Sequence, residues 1–359
     1  MKNLNVIGIG EEVFRPFELC YHVALKGIGQ VSPNPMVGAV VLDSNNKLLG
    51  YGSHDRYGGP HAEVGAIKMA LKQLKNLGGS KIYVTLQPCS HFGKTPPCEK
   101  LISEHGIKEV HYLLNDPNPK IKPPPKHYKK HGGRESELYK NLISPFLFSF
   151  RNHTRPYVAV KTATSLNGFV GERGDKRRWV TNEKSRQYGH VLRQLYDGVV
   201  VGRKTVELDL PNLSPRLEFI NCRIPWRIII DPGLKTLASQ KGLPSEVREK
   251  TIFVHNQNHK PSGFHSVIIN NEGLSGVLQE LRLNFQIQSL LIEGGATSHK
   301  TFFDQGVVDR VFHFKSGLNI DSKNAIPWYQ SQAAFNFELV NKVENEGDTL
   351  CEYSKNENP

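Results

Sequence analysis

The chain has 359 residues, 38% of them hydrophobic, with 46 Lys and Arg against 34 Asp and Glu and a formal net charge of +12. That length exceeds what one hydrophobic core usually organises, so about two domains are expected. No apolar run approaches the roughly 20 residues of a membrane span, and the first residues lack the basic and apolar regions of a secretion signal.

In chain order, residues 14–30 read as an amphipathic helix with Phe17, Cys20, Val23 and Ala24 on one side. Ser32-Pro33-Asn34-Pro35 forms a rigid loop before an apolar strand at 37–42, and Asn45-Asn46 turns the chain into a second strand at 47–52. Val64, Ile67, Leu71 and Leu74 recur at helical spacing, which predicts a helix over 61–75 stopped by Gly78 and Gly79. A strand follows at 81–86. Pro96 and Pro97 introduce a further helix that begins at Cys98, and 110–114 is again a strand, ending in Asp116-Pro117-Asn118-Pro119. A β-β-α-β-α order predicts a three-layer α/β/α sheet.

A lysine- and proline-rich stretch at 120–130 and a charged helix at 135–142 lead to a domain boundary expected near 150, giving domains 1–150 and 151–359. Beyond it, strands are expected at 157–162, 198–201, 227–230, 251–255, 266–269, 289–292 and 310–314, with helices at 182–196 and 274–285. This half is also α/β. It has no Gly-x-Gly-x-x-Gly fingerprint. Gly202-Arg203-Lys204-Thr205 and Glu293-Gly294-Gly295 each follow a strand, where backbone amides can hold phosphate; plain tight turns are the alternative.

The densest chemistry lies between Gly58 and Lys100. His61, Cys89 and Cys98 supply one imidazole and two thiolates, a set suited to zinc with a fourth position left for water. Glu63 is placed to shuttle a proton, and H-x-E followed by P-C and a second Cys is the signature of zinc-dependent nucleobase deaminases. Water made acidic by the ion would attack the amine-bearing carbon, and Glu63 would carry the proton to the leaving amine. A structural zinc closed by His91, or ordinary buried thiols, are the alternatives. The five cysteines (Cys20, Cys89, Cys98, Cys222 and Cys351) show no disulfide pattern, which points to a reducing, cytoplasmic setting. The net positive charge fits a solvated basic surface, or a phosphorylated substrate and cofactor.

Several motifs together resemble the bifunctional riboflavin-biosynthesis deaminase/reductase family over nearly the whole chain. They are S-P-N-P-M-V-G-A-V-V (32–41), G-G-P-H-A-E-V (58–64), P-C-S-H-F-G-K-T-P-P-C (88–98), D-P-N-P (116–119), V-G-R-K-T-V (201–206), D-L-P-N-L-S-P-R (209–216) and E-G-G-A (293–296). The resemblance implies a cytidine-deaminase-like domain followed by a dihydrofolate-reductase-like α/β domain. It implies deamination of a phosphoribosylated diaminopyrimidinone with Zn2+, then reduction of the ribosyl group to ribityl with NADPH, the substrate being a small molecule. Carried over by position, His61, Cys89 and Cys98 bind zinc and Glu63 is catalytic. Asn34, His54, His91, Lys94, Thr95, Asp116 and Asn118 frame the first pocket. Ala163, Trp179, Thr205, Asp209, Gly294 and Gly295 fall at the cofactor, and Leu213, Arg216 and Glu293 at the second substrate. Lys161 and Asp209 are suited to positioning and proton handling. A homo-oligomer through the reductase domain is expected, without nucleic-acid or membrane partners.

The chain departs from the family at Gln87 (usually Glu), Asn167 (Asp), Arg177 (Ser), Leu210 (an acid), Ala296 (Pro) and at Ile121-Lys122-Pro123-Pro124-Pro125, which replaces a glycine-rich segment. Rival readings are a deaminase with an impaired reductase half, and a deaminase acting on tRNA or other nucleic acid.

Overall fold

A computed structural model describes residues 15–92, 96–172, 179–209, 211–217, 222–328 and 336–356. The chain divides into two compact units, Met1–Ser144 and Pro145–Pro359.

The first unit contains α1 (Pro16–Ala24), β1 (Gly38–Leu42), β2 (Leu48–Ser53), α2 (Ala62–Ala70), β3 (Lys81–Leu86), α3 (Cys98–Glu104), β4 (Glu109–Leu114), β5 (Tyr128–Lys130) and α4 (Arg134–Leu142). Its sheet runs β2-β1-β3-β4-β5, with β1 antiparallel to β2 and β3 and the remaining pairs parallel. Alternation along β1 feeds two cores. Ala39 and Val41 pack with Ala62, Ala66 and Ile67 of α2 and Ile102 of α3, while Val40 and Leu42 meet Cys20 of α1. Helices therefore cover both faces, as the element order predicts.

Two helices end earlier than the sequence predicts. Helix α1 stops at Ala24 and tightens into a 3-10 turn, Leu25–Gly27. The helix expected to reach residue 75 ends at Ala70, where the backbone changes to i→i+3 bonds (Lys72 to Met69, Gln73 to Ala70) and the Gln73 amide donates to the Leu49 carbonyl at 2.8 Å.

The second unit contains α5 (Ser144–Arg151, which starts at the division and includes residue 150), β6 (Tyr157–Thr164), β7 (Phe169–Glu172), α6 (Glu183–Leu195), β8 (Gly198–Gly202), α7 (Arg203–Asp209) and β9 (Trp226–Ile230). Then come α8 (Leu237–Gln240), α9 (Ser245–Arg248), β10 (Thr251–His255), β11 (His265–Ile268), α10 (Leu274–Leu283), β12 (Ser289–Ile292), α11 (Ala296–Asp304), β13 (Arg310–Lys315), β14 (Ala325–Pro327), β15 (Phe337–Asn345) and β16 (Asp348–Lys355). The main sheet is ordered β11-β10-β9-β8-β12-β6-β13-β16-β15, parallel from β11 to β13 and antiparallel across β16 and β15. Val158, Val160, Leu290 and Ile292 face α10 and α11, whereas Tyr157, Ala159 and Leu291 face Leu192 and Tyr196 near the end of α6. The chain leaves β6 for β8 and returns later to lay β12 between them. The carboxyl ends of these three strands make a topological switch point, the usual place for a ligand in such sheets. The closing hairpin β15–β16 was not anticipated, because β15 is exposed along nearly its whole length and shows no buried alternation.

Candidate active sites

In the first unit, His61 sits in extended backbone as the residue that starts α2, Glu63 lies in the first turn, Cys89 follows β3 and Cys98 opens α3. Their ligand atoms lie within 4.8 Å of one another, with His61 Nδ1 3.5 Å from Cys89 Sγ and 3.3 Å from Cys98 Sγ. Zinc bonds of about 2.0–2.3 Å at tetrahedral angles put neighbouring donors about 3.5 Å apart, so the three residues fit one ion. Among the described residues no fourth side chain joins the set; His91, the candidate closing ligand, stands outside it.

The Cys89 thiol is pulled down to about 4, chiefly by hydrogen bonding with Cys98 and then His61, against the effect of burial. Cys98 is pushed up, first by that same bond and then by burial. Glu63 is buried, and burial raises its carboxyl above the ordinary range, with the neighbouring His61 pulling the other way. A carboxyl raised in this way is suited both to accept and to donate a proton.

Around this centre, the His54 ring donates from Nδ1 to the Pro60 carbonyl at 3.0 Å and lies 3.2 Å from the Asn34 amide through Nε2. It stands edge-on to the His61 ring at 5.7 Å. Burial raises Asp116, whose Oδ1 accepts from the Asn118 N–H at 2.9 Å, and Cys89, His91 and His61 all act on its charge. The His91 Nδ1 is buried with no hydrogen-bond partner among the described residues. Asn34, His54, His91, Asp116 and Asn118 are thus found on loops around one centre, while Lys94 and Thr95 lie outside the described residues.

In the second unit, Lys161 of β6 and Glu293, just past β12, sit at the switch point. Arg193 of α6 grips Glu293 with two bonds, Nε to Oε1 at 2.6 Å and Nη2 to Oε2 at 2.8 Å. Burial alone would raise the Glu293 carboxyl, but Arg193 and then Lys161 outweigh it and hold it low. Lys161 is lowered by burial, with Glu293 opposing and Arg193 adding to the shift. The Arg216 backbone N–H donates to His190 Nδ1 at 3.2 Å, which leaves the imidazole proton on Nε2. His190 and Arg193, one helical turn apart on α6, were not singled out from sequence. Their three-residue spacing beside Gly189, a poor mid-helix residue, was the available signal.

The phosphate-type turns also meet. Gly202 and Gly294 both close on Ser298, whose Oγ would lie 2.7 Å and 2.6 Å from a Cβ at either position. Thr205 Oγ1 is 3.8 Å from a Cβ built on Gly295, the residue that starts α11 without a side-chain cap. Two strand-to-helix turns side by side, with space beside Gly295, fit the pyrophosphate of a dinucleotide. Ala163 is half-buried on β6, and Asp209 is exposed one turn beyond Thr205 on α7. Trp179 is 54% exposed with the Arg186 guanidinium 5.2 Å from its ring. Leu213 packs its side chain among Val199, Val206 and Ile229 at φ 59°, so only its main chain can meet a ligand. Among the departures, Asn167 accepts from Ser165 and donates to the Ile320 carbonyl, pinning a turn, while Arg177 and Leu210 lie outside the described residues.

Residues 15–114 match the cytidine and deoxycytidylate deaminase zinc-binding region, and residues 156–315 match the RibD C-terminal domain. Fold and sites thus define a two-domain enzyme, a zinc-dependent deaminase followed by a reductase. A riboflavin biosynthesis protein RibD from Aquifex aeolicus is 34% identical across 83% of this chain and 85% of its own length, and one from Bacillus amyloliquefaciens is 34% identical across 81% of each. A Thermotoga maritima diaminohydroxyphosphoribosylaminopyrimidine deaminase/5-amino-6-(5-phosphoribosylamino)uracil reductase superposes with TM-score 0.80 at 32% identity, over 95% of this chain and 97% of that one. The chain belongs to the RibD family of bifunctional riboflavin-biosynthesis enzymes, whose cofactors are zinc and NADPH.

Proposed function

We propose that the first unit hydrolytically deaminates the pyrimidine ring of the phosphoribosylated diaminopyrimidinone and that the second reduces the product's ribosyl group to ribityl with NADPH. The observation that carries the first step is a three-donor set with the buried carboxyl of Glu63 two residues from His61. His61, Cys89 and Cys98 hold the ion, which when bound supplies Lewis acidity toward a water molecule. Glu63 takes the water's proton and delivers it to the departing amine, so its raised pKa suits both halves of the transfer. Asn34, His54, His91, Asp116 and Asn118, with Lys94 and Thr95, orient the ring and its phosphoribosyl arm.

In the second step the bond between the ribosyl C1′ and its ring oxygen breaks, as a hydride from NADPH goes to C1′ and a proton to the ring oxygen. Lys161, with its lowered pKa, is the proton donor we favour, and the Glu293 charge acts on it. To Asp209 we assign cofactor contact and a share in proton handling. Thr205, Gly294 and Gly295 serve the pyrophosphate, Ala163 and Trp179 the remaining cofactor surface, and Arg216 the substrate phosphate, with Leu213 contributing main chain. Domain limits of 1–150 and 151–359 suit this division of labour. We infer a cytoplasmic enzyme acting on a small phosphorylated pyrimidine and not on nucleic acid. Among the described residues no helix is long and apolar enough to cross a membrane. Assembly through the reductase unit is supported by exposed Leu339, Val340 and Val343 on the edge strand β15. Glu63→Gln tests the first step: ammonia release should stop while zinc stays bound, and undiminished release would remove Glu63 from the mechanism. A single species of monomer mass in sedimentation would remove the oligomer.

A further inference from the structure

Gln87 and Ser90 flank the ligand Cys89, and both are bonded to one residue, Lys122, in the loop after β4. Ser90 Oγ accepts from the Lys122 N–H at 2.8 Å, and Gln87 Nε2 donates to the Lys122 carbonyl at 2.9 Å. Lys122 precedes Pro123, which confines it to extended backbone. An extended residue presents its N–H and C=O to the same side, so two side chains can take the place of a partner strand. The run Pro123-Pro124-Pro125 has no N–H groups with which to build a ladder of its own.

The same loop is braced from its other end. Asp116 Oδ1 accepts from the Asn118 N–H, Asn118 Oδ1 accepts from the Lys120 N–H at 3.0 Å, and the Asn118 carbonyl accepts from the Ile121 N–H at 2.9 Å. Hydrogen bonds therefore brace residues 116–121 from Asp116, beside the metal ligands, and the next residue along the chain, Lys122, is tied back to the two residues that flank Cys89. Gln87 is itself buried, and its backbone N–H donates to the Leu114 carbonyl at 2.8 Å.

We propose that Gln87 and Ser90 are positioning residues for deamination, latching residues 116–122 against the metal loop so that Asp116 and Asn118 are held at the pyrimidine site. This rests on the deaminase reading above. It also accounts for two departures from the family as one unit. A Glu at position 87 would place acceptor oxygens against the Lys122 carbonyl, so the amide and the proline-lysine segment belong together.

The test uses full-length, zinc-loaded protein carrying Gln87→Glu, Ser90→Ala or Ser90→Thr. Hydrogen exchange at the Lys122 amide and KM for deamination should each rise about tenfold in the first two variants, one lost hydrogen bond's worth. Ser90→Thr, which keeps the hydroxyl, should match wild type. Zinc content and reductase turnover on the deaminated substrate should not change in any variant. Unchanged Lys122 exchange in Gln87→Glu would overturn the latch, and faster exchange with an unchanged KM would overturn its role in positioning. Loss of zinc would also overturn it, by placing the effect on the metal loop alone. Failure of wild type to release ammonia would instead sink the deaminase reading, while the exchange data still decide whether the latch exists.

Discussion

Burial does opposite things to the carboxyls of the two sites. Burial outweighs the pull of the neighbouring His61 on Glu63 and raises it, whereas Glu293 is held low by the two-bond contact from Arg193. Glu63→Gln should therefore lower deamination roughly 10²–10⁴-fold without affecting reduction. Arg193→Ala leaves Glu293 buried without its partner and should destabilise the protein by about 3 kcal/mol, with Arg193→Lys a poor rescue because it lacks the fork. Glu293's pKa is lower folded than unfolded, so its contribution is complete above the ordinary glutamate value of about 4.3 and is lost as pH falls through the lower folded value. The stability gap between Arg193→Ala and wild type should then narrow in acid, as followed by chemical denaturation. Because Cys98 is a raised thiol, zinc binding must displace its proton; affinity should climb with pH, and calorimetry in two buffers should register proton release. At this scale the zinc residues were legible because each is fixed by type and spacing within a short stretch. Arg193 and His190 were not, since their partners Glu293 and Arg216 are distant in sequence and only the fold joins them.

Elements matter here through how closely they approach. Gly50 and Gly52 on β2 let α2 lie against the strand, since a Cβ at Gly52 would fall 2.2 Å from the Ala62 carbonyl oxygen and 2.4 Å from the Ala66 nitrogen. Helix α2 carries Glu63 and begins at His61. Gly52→Ala should therefore shift the helix, cost about 1–3 kcal/mol by overpacking, and weaken zinc binding measurably by chelator competition while reductase turnover persists. Strands buried on both faces, such as 251–255 and 289–292, could be read to the residue from their apolar runs. Helix ends were harder. The stop at Ala70 depends on the Gln73 amide reaching Leu49, a tertiary contact without a local sequence signal. The β15–β16 hairpin escaped notice because an exposed edge strand lacks the alternation that marks a half-buried one.

For the whole molecule, two α/β units each place their chemistry where the layers of the fold leave strand or helix ends open. The order of elements and the motif spacing conveyed both architectures. The return of β12 between β8 and β6, which creates the second site, emerges only from the sheet order. Separate sites predict separable losses: a chelator should stop ammonia release yet leave NADPH oxidation with deaminated substrate intact. The most direct measurement gives the zinc-loaded protein the diaminopyrimidinone phosphate with and without NADPH, following ammonia and nicotinamide absorbance together. We predict ammonia in both reactions and NADPH loss that lags behind it when the cofactor is present. Ammonia without NADPH loss would contradict the assignment of Lys161 and Glu293 to a working reductase. No ammonia from protein shown to hold zinc would contradict the account built on His61, Glu63, Cys89 and Cys98.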